Sequence, residues 1–231
     1  MISIHQTVKS YYGNTVVNVP ALEITAGEIV GLVGNNGAGK TTLFRLLLDL
    51  IRADKGEVLF REANVATTEE WKRYTAAYLD EGFLIPYLTP EEYFYFVGSL
   101  QGLSKVDVDE QLLRYESFFA GNILKSGKYI RDLSKGNQFK VGIAACLLRS
   151  PELLILDEPF ANLDPSSQQR LIRMLKELSA SHRVTILISS HDLNHITDIC
   201  QRILLMERGR IINDIDTTAG TLGQLEAYFQ V

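Results

Sequence analysis

Short apolar runs and helical periodicity alternate along the chain, and each type of run predicts an element. Runs in the first third predict five β-strands, at residues 2–6, 16–19, 28–33, 57–60 and 74–79. From residue 90 to about 148 the pattern turns helical, with helical segments predicted at 107–119 and 138–149. Thr89, Pro90 and Glu92 carry the start signal of the first helix, because Thr89 caps it and Glu92 closes a capping box.

Buried strands and amphipathic helices alternate again after residue 150. The predicted strands lie at 153–156 and 184–189, the helices at 165–178 and 193–200, and a closing hairpin at 202–206 and 209–214. Four apolar residues share one face of the helix at 165–178, namely Leu171, Ile172, Leu175 and Leu178. The whole pattern predicts a β/α core that a helical insert interrupts between roughly residues 83 and 128.

The composition restricts the class of protein. With 231 residues, 46% of them hydrophobic, the chain can bury a sizeable core as one domain or as a domain with a small satellite. The formal net charge of −5 disfavours a protein held on nucleic acid by phosphate contacts. No apolar run reaches the roughly 18 residues of a membrane span, and the first residues lack the pattern of a signal peptide. Cys146 and Cys200 occupy apolar helical contexts, which favours reduced core residues of a cytosolic protein over a disulfide.

A glycine-rich segment follows the strand at 28–33, precedes an apolar helical run, and fits the phosphate-loop pattern G-x-x-x-x-G-K-[ST]. The predicted nucleotide-binding residues are Gly34, Asn35, Asn36, Gly37, Ala38, Gly39, Lys40, Thr41 and Thr42. Glycines let backbone N–H groups point at phosphate oxygens, and the helix N-terminus adds partial positive charge. The Lys40 ammonium can reach the β- and γ-phosphates, and the Thr41 hydroxyl can ligate Mg²⁺. A chance glycine-rich turn is disfavoured by the strand before it and the helix after it.

Two carboxylates, Asp157 and Glu158, close the buried strand predicted at 153–156. In α/β sheets, ligands bind at the carboxyl ends of the strands. We therefore expect Asp157 to hold Mg²⁺ through water and Glu158 to act as general base toward the attacking water. Two acids after a strand are usually a solvated loop, but a phosphate-loop protein needs a metal carboxylate from a neighbouring strand.

The segment Leu-Ser-Lys-Gly-Asn at 133–137, placed before a helix, resembles the LSGGQ signature of ABC ATPases. The order of motifs also matches that family: phosphate loop, signature, Asp157-Glu158, Asn162-Leu163-Asp164 as D-loop, and His191 as switch histidine. The resemblance covers essentially the whole chain. It implies an α/β fold with a P-loop NTPase core, an N-terminal antiparallel β subdomain and an inserted α-helical subdomain. The implied single ABC ATPase domain spans 1–231, with the core at 1–82 and 129–231 and the helical subdomain at about 83–128.

The resemblance also implies roles for single residues. Two such domains pair head to tail in the family, so Ser134 and Gly136 would donate to the γ-phosphate held by the partner's phosphate loop. His191 matches the histidine that contacts the γ-phosphate, and it joins Lys40 and Glu158 as the predicted catalytic residues. Tyr12 matches the aromatic residue that stacks on adenine. Tyr11 is the alternative, and either ring could instead be a strand-edge aromatic.

Departures from the family pattern bear on the function. Glu81 stands where many members have a glutamine, and a carboxylate there can still ligate Mg²⁺ or its water. In the signature, Lys135 replaces a glycine and Asn137 a glutamine, while Phe139 replaces a polar residue for no physical reason visible in the sequence. Glu81 and the Ser-Lys-Gly signature resemble the export-type (ABC-2-like) branch, and the short stretch after residue 214 also favours export.

The resemblance therefore implies an ATP-binding and ATP-hydrolysing subunit of an ABC transporter. Its expected cofactors are ATP and Mg²⁺. Its expected partners are a second ABC ATPase subunit, in a homo- or heterodimer, and integral membrane transporter subunits, with no nucleic acid. We expect a cytoplasmic protein, peripheral at the inner face of the cell membrane. Large apolar residues at 83–88 and 93–97 either receive the membrane subunit or pack within the domain. The alternatives are a non-transport ABC ATPase acting on a soluble complex, and a regulatory module that binds ATP without hydrolysis.

Overall fold

The computed structural model describes residues 1–79, 81–119 and 123–229, with the side chain of Glu81 outside the described part. The strands are β1 (Ile2–Tyr11), β2 (Asn14–Ile24), β3 (Ile29–Val33), β4 (Lys55–Phe60), β5 (Ala63–Asn64), β6 (Thr75–Tyr78), β7 (Leu153–Leu156), β8 (Thr185–Ser190), β9 (Arg202–Glu207) and β10 (Arg210–Asp216). The helices are α1 (Lys40–Leu47), α2 (Pro90–Leu100), α3 (Lys105–Arg114), α4 (Glu116–Phe119), α5 (Lys135–Leu147), α6 (Pro165–His182), α7 (Leu193–Ile199) and α8 (Thr221–Phe229).

The strands form two sheets. An antiparallel sheet has the order β2-β1-β4-β5, and a second sheet has the order β10-β9-β3-β8-β7-β6. In the second sheet only the β9–β10 pair is antiparallel, and the other described pairs are parallel. β3 and β7 are buried along their whole length, which explains why both are continuous apolar runs. The carboxyl ends of β3, β8 and β7 therefore lie side by side at one edge of this sheet.

Two apolar clusters cover the two faces of the six-stranded sheet. Val30 and Leu32 belong to the cluster shared with the antiparallel sheet and α1, whereas Ile29 and Val33 belong to the cluster shared with the other helices. The helical cluster includes Phe94, Phe118 and Phe119, which are almost completely buried, from the insert between β6 and β7. Because side chains alternate between the faces of a strand, the sheet is packed on both sides and its edge loops rest on a rigid support.

The start of α2 agrees with the sequence pattern in detail. The Thr89 hydroxyl accepts from the Glu92 backbone N–H at 3.3 Å, and the Glu92 carboxylate accepts from the Thr89 N–H at 2.8 Å. Pro90 occupies the first helical position. The predicted capping box is therefore confirmed, as is the closing hairpin, which forms β9 and β10.

The single helix predicted at 107–119 is wrong. α3 begins earlier, at Lys105, because Ser104 and Asp107 form a capping box that the sequence analysis overlooked. The helix ends at Arg114, and the buried Tyr115 turns the chain before the short α4. Apolar residues continue through this turn, so periodicity alone conceals the break. The helix predicted from 138 likewise begins three residues earlier, at Lys135, since Ser134 caps it.

Of these strands and α-helices, β5 and α8 have no counterpart in the sequence prediction. β5 has two residues and extends the edge of the antiparallel sheet beside β4. α8 follows β10 and packs through Leu225, which is buried against the helical cluster. Among the described residues, no helix combines the length and apolar character needed to cross a bilayer. Cys146 and Cys200 are free thiols, and burial raises the pKa of the Cys146 thiol to about 12.

Candidate nucleotide-binding site

The phosphate loop joins the carboxyl end of β3 to α1. Gly37 and Gly39 have φ angles of +83° and +108°, a backbone region that suits glycine. The loop is closed by a hydrogen bond from the Ala38 N–H to the Asn35 carbonyl at 3.0 Å. α1 carries neither a side-chain cap nor an acidic residue in its first turn. Its N-terminal backbone N–H groups therefore suit an anion such as a phosphate.

Lys40 folds back over this loop. Its Nζ donates to the Gly34 carbonyl at 2.6 Å and lies 3.4 Å from the Glu158 carboxylate. The Lys40 side chain is only 7% exposed, so its ammonium is held in one place. The phosphate loop and the Glu158 carboxylate thus fix the position of the ammonium that is predicted to bind the phosphates.

Thr41 and Asp157 meet directly at the ends of neighbouring elements. The Thr41 hydroxyl donates to Asp157 Oδ2 at 2.5 Å, and the other Asp157 oxygen accepts from the Ser189 hydroxyl. No group of three His, Cys, Asp or Glu side chains suited to a metal occurs in the described part of the chain. Thr41 and Asp157 nevertheless provide the oxygen donors by which Mg²⁺ is commonly held, with water and substrate phosphates completing its shell.

Glu158 occupies an unusual backbone conformation between two basic side chains. Its φ is +49°, which is uncommon for a residue other than glycine, and its N–H donates to the Ser189 hydroxyl at 2.9 Å. The carboxylate lies 2.8 Å from His191 Nδ1 on one side and contacts Lys40 on the other. The left-handed turn therefore aims the carboxylate across the phosphate loop, as backbone strain at functional sites often does.

Lys40, Thr41 and Glu158 line a small opening. A cavity of about 230 Å³ is lined by Val16, Glu158 and residues 36–42 of the phosphate loop and α1. A second cavity of about 470 Å³ adjoins the same loop and is lined by residues 35–38, the turn at 206–208, Tyr228 and Phe229. A larger groove of about 780 Å³ between α4 and α6 contains none of the predicted site residues. The convergence of charged groups therefore locates the candidate site, and the volume of the cavities does not.

The hairpin between β1 and β2 carries both candidate tyrosines. Tyr12 and Gly13 form its two-residue turn with φ of +51° and +82°, and the Tyr12 side chain is fully exposed. Tyr11 is 41% exposed, and the Lys9 ammonium lies 5.4 Å from its ring centre. β2 continues from this turn to Val16 at the opening. The stacking role of Tyr12 stays a prediction.

Ser134 and Gly136 lie at the N-terminus of α5 and do not line the opening. The Ser134 hydroxyl accepts from the Asn137 N–H at 3.3 Å, which makes it the helix cap. A Cβ placed on Gly136 would lie 2.7 Å from the Asn162 carbonyl oxygen. The signature therefore packs against the D-loop of its own chain. The adjoining Asp164 caps α6, where bonds from the Ser166 and Ser167 hydroxyls hold the pKa of its carboxyl below the usual range.

The predicted metal ligand Glu81 has a side chain outside the described residues, so its role stays a prediction. Two residues that do surround the site escaped the sequence analysis. Ser189 bonds both Asp157 and Glu158, and Val16 lines the opening. Ser189 could have been predicted from the sequence, because Ser189 and Ser190 place two hydroxyl groups at the carboxyl end of a buried strand.

Comparison with known proteins identifies the family. The model of the ABC transporter family matches residues 17–161, more than half of the chain. The chain belongs to this family. It is 32% identical over 224 residues to the methionine import ATP-binding protein MetN 1 of Shouchella clausii (strain KSM-K16), covering 93% of this chain and 64% of that protein. This ABC cassette therefore spans slightly less than two thirds of that relative's length. It is also 31% identical to the lipopolysaccharide export system ATP-binding protein LptB of Acidithiobacillus ferridurans, covering 88% of this chain and 85% of that protein.

Solved cassettes share the fold. A structure described as an ATP-binding subunit of an ABC transporter matches with a TM-score of 0.85 at 26% identity, covering 98% of this chain and 93% of that chain. The dimeric, post-hydrolysis cassette MJ0796 bound to ADP and Pi matches at 0.84 and 22% identity, covering 95% of this chain and all of that chain. The predicted fold class is confirmed, and the chain is an ABC ATPase cassette. Relatives named for import and for export match about equally well, so they do not distinguish the branch.

Proposed function

We propose that this ABC cassette binds and hydrolyses ATP to drive a transporter, and that its site residues act as the sequence predicts. The observation that carries the proposal is the convergence of five side chains at the carboxyl ends of β3, β7 and β8: Lys40, Thr41, Asp157, Glu158 and His191. Phosphoryl transfer requires a cation on the phosphates, oxygen ligands for a metal, and a group that orients water. The five side chains supply all three.

The proposed reaction is in-line attack of water on the γ-phosphorus. A bond forms between the water oxygen and phosphorus, and the bond from phosphorus to the bridging oxygen breaks, with its electron pair leaving on ADP. Glu158 orients the water and accepts its proton. Lys40 and the phosphate-loop N–H groups stabilise the charge on the transferred group, while His191, bonded to Glu158, contacts the γ-phosphate.

Thr41 and Asp157 are the described residues that would hold Mg²⁺, with Glu81 added on its sequence position. The short bond between the Thr41 hydroxyl and Asp157 places two oxygen donors side by side next to the phosphate loop, which fits a hard cation. When bound, Mg²⁺ would neutralise phosphate charge. The chain's own contribution is to fix Asp157 through the Ser189 hydroxyl.

The proposed assembly is a pair of cassettes beneath integral membrane subunits. Ser134 and Gly136 would contact ATP on the second cassette, which is supported by their position away from the opening of their own chain. Tyr12 would stack on adenine. We propose the division into a core at 1–82 and 129–231 and a helical subdomain at about 83–128. Exposed Phe83, Tyr87 and Phe96 on that subdomain suit a membrane partner at the cytoplasmic face.

We propose that the transporter is an exporter, on the basis of two features of the sequence. Glu81 and the Ser-Lys-Gly signature resemble the export-type (ABC-2-like) branch, and the membrane subunit would select the substrate. The alternative is a non-transport ABC ATPase acting on a soluble complex. Purification of the tagged chain from detergent-solubilised membranes separates the two, because only the transporter subunit is expected to retain a multi-span membrane protein.

Glu158→Gln tests the chemistry. The amide keeps the size of the side chain but accepts no proton, so we expect ATP turnover to fall by about two to four orders of magnitude. Nucleotide affinity should persist, and an ATP-bound dimer should accumulate. Glu177→Gln, an identical change at an exposed position on α6, is the matched control and should hydrolyse ATP at the parental rate. Parental turnover by Glu158→Gln would show that Glu158 is not the base.

A further inference from the structure

The helix α5, which follows the signature, contains an aromatic residue, Phe139, and the folded chain shows what this side chain contacts. Phe139 is buried and its ring meets that of Tyr78 edge to face, with centroids 4.8 Å apart and planes at 90°. Tyr78 is the last residue of β6 and is itself buried. Edge-to-face contact has a preferred geometry, so it constrains the orientation of the two elements as well as burying area.

Gly142 completes the contact. A Cβ added at Gly142 would overlap three carbon atoms of the Tyr78 ring, so only glycine leaves space for that ring. Positions 139 and 142 are three apart and lie on one face of α5. Glycine is a poor residue for a helix interior, and here the packing of Tyr78 supplies the reason for it. Phe139 and Gly142 together therefore hold the Tyr78 ring against α5.

The main chain of Tyr78 reaches the nucleotide site directly. Its carbonyl accepts a hydrogen bond from the Asp157 N–H at 3.0 Å, at the end of the β6–β7 ladder. Asp157 in turn bonds the Thr41 and Ser189 hydroxyls. Tyr78 thus contacts α5 through its side chain and the backbone of Asp157 through its carbonyl.

We infer that Phe139 and Gly142 are positioning residues that set the orientation of α5 relative to the Asp157 end of β7 through Tyr78. The inference rests on the proposed function, in which the N-terminus of α5 presents Ser134 and Gly136 to ATP on a second cassette. Four residues of continuous helix, 135–138, separate Ser134 from Phe139. The contact therefore sets the angle at which the signature approaches the partner's nucleotide once the chain's own phosphate site is organised.

Phe139→Leu tests this inference, because leucine stays apolar and buried but removes the ring. We expect ATP affinity of the single chain to remain within about twofold, because no nucleotide-site group is changed. The ATP concentration for half-maximal dimerisation should rise by at least about fivefold, the lower range of measured coupling between sites, and cooperativity in ATP hydrolysis should fall. Phe60→Leu is the matched control for lost stability and should leave dimerisation unchanged, because Phe60 is a buried phenylalanine of β4 whose ring meets that of Trp71 edge to face, away from α5.

Gly142→Ala gives an independent test by displacing the Tyr78 ring. Its control is Gly98→Ala in α2, where a Cβ would also crowd a side chain, that of Val108. We expect only Gly142→Ala to impair ATP-driven dimerisation. If the leucine variants do not fold, Phe139→Met and Phe60→Met replace them in the same comparison. The inference is overturned if the variants at 139 and 142 dimerise with ATP as their controls do. Failure of the parental chain to hydrolyse ATP would instead overturn the proposed function.

Discussion

Single residues in this site each serve two partners. Lys40 bonds the Gly34 carbonyl and contacts Glu158, and Asp157 accepts from the hydroxyls of Thr41 and Ser189. Because groups in one hydrogen-bonded network couple, substitutions here are not expected to be additive. Each substitution should therefore be read against its own control and with binding and turnover measured separately.

Lys40→Ala should weaken nucleotide binding itself. The change removes a charge-assisted contact with phosphate, worth about 1.5–3 kcal/mol, and so should raise the dissociation constant by about 10- to 100-fold. Calorimetric titration with ATP measures this directly. Lys55→Ala, at the exposed first residue of β4, should bind as the parent does. An unchanged dissociation constant for Lys40→Ala would count against the phosphate-loop assignment.

At the scale of elements, side-chain caps decide where the helices begin. Thr89, Ser104, Ser134 and Asp164 cap α2, α3, α5 and α6 respectively, each by accepting a backbone N–H three residues on. The cap on α5 has a further consequence, since it brings Ser134 and Gly136 to the free end of the helix. There, helix partial charge and backbone N–H groups favour an anion.

Thr89→Ala should lower the free energy of unfolding without changing ATP affinity. The hydroxyl caps α2, and loss of an N-cap costs about 0.5–2 kcal/mol. Urea unfolding followed by circular dichroism would measure the loss. Thr89→Ser keeps the accepting oxygen and should be close to the parent in stability. Equal destabilisation by both variants would mean that the methyl group, and not the cap, supports α2.

At the scale of the whole molecule, the proposed site is divided between two surfaces. Strand order gathers Lys40, Asp157, Glu158 and His191 at one edge of the sheet. The signature lies on α5, where Gly136 packs so closely on Asn162 that any side chain at position 136 would disturb the D-loop. A charge test of the signature is therefore better made at Ser134 than at Gly136.

Ser134→Asp should leave ATP binding by single chains intact and abolish ATP-driven dimerisation. Aspartate is as good a helix cap as serine, so α5 should form normally, but its carboxylate would oppose the partner's γ-phosphate. Light scattering with and without ATP measures the effect. Ser104→Asp, the same change at the cap of α3, is the control. Normal ATP-driven dimerisation by Ser134→Asp would contradict the proposed contact in trans.

Mixing gives a sharper version of this test. A dimer of one Ser134→Asp chain and one Lys40→Ala chain has one intact composite site, with Lys40 from the first chain and Ser134 from the second. We expect mixing to give more ATPase activity than either variant shows alone. If activity returned on mixing although light scattering detected no dimers, a composite site would be excluded.

Local sequence determined much of this protein. The phosphate loop requires glycine at positions of positive φ, a lysine and a hydroxyl within eight consecutive residues, so its conformation at Gly37, Gly39 and Lys40 follows from neighbours in the chain. The same holds for the capping box at Thr89 and for two carboxylates placed directly after a buried strand. Signals of this kind are short-range, and the structure reproduces the geometry that they predict.

Tertiary structure decided the contacts between segments distant in sequence. Ser189 reaches Asp157 and Glu158 only because β8 lies between β3 and β7, and strand order depends on how the whole sheet packs. Phe139 has no local reason, since its partner Tyr78 lies sixty-one positions earlier on another element. Gly136 and Gly142 likewise appear as plain helix residues in sequence, yet Asn162 and Tyr78 leave them no room for a side chain. The residue type at each of these positions is set by long-range packing, which periodicity and short motifs do not encode.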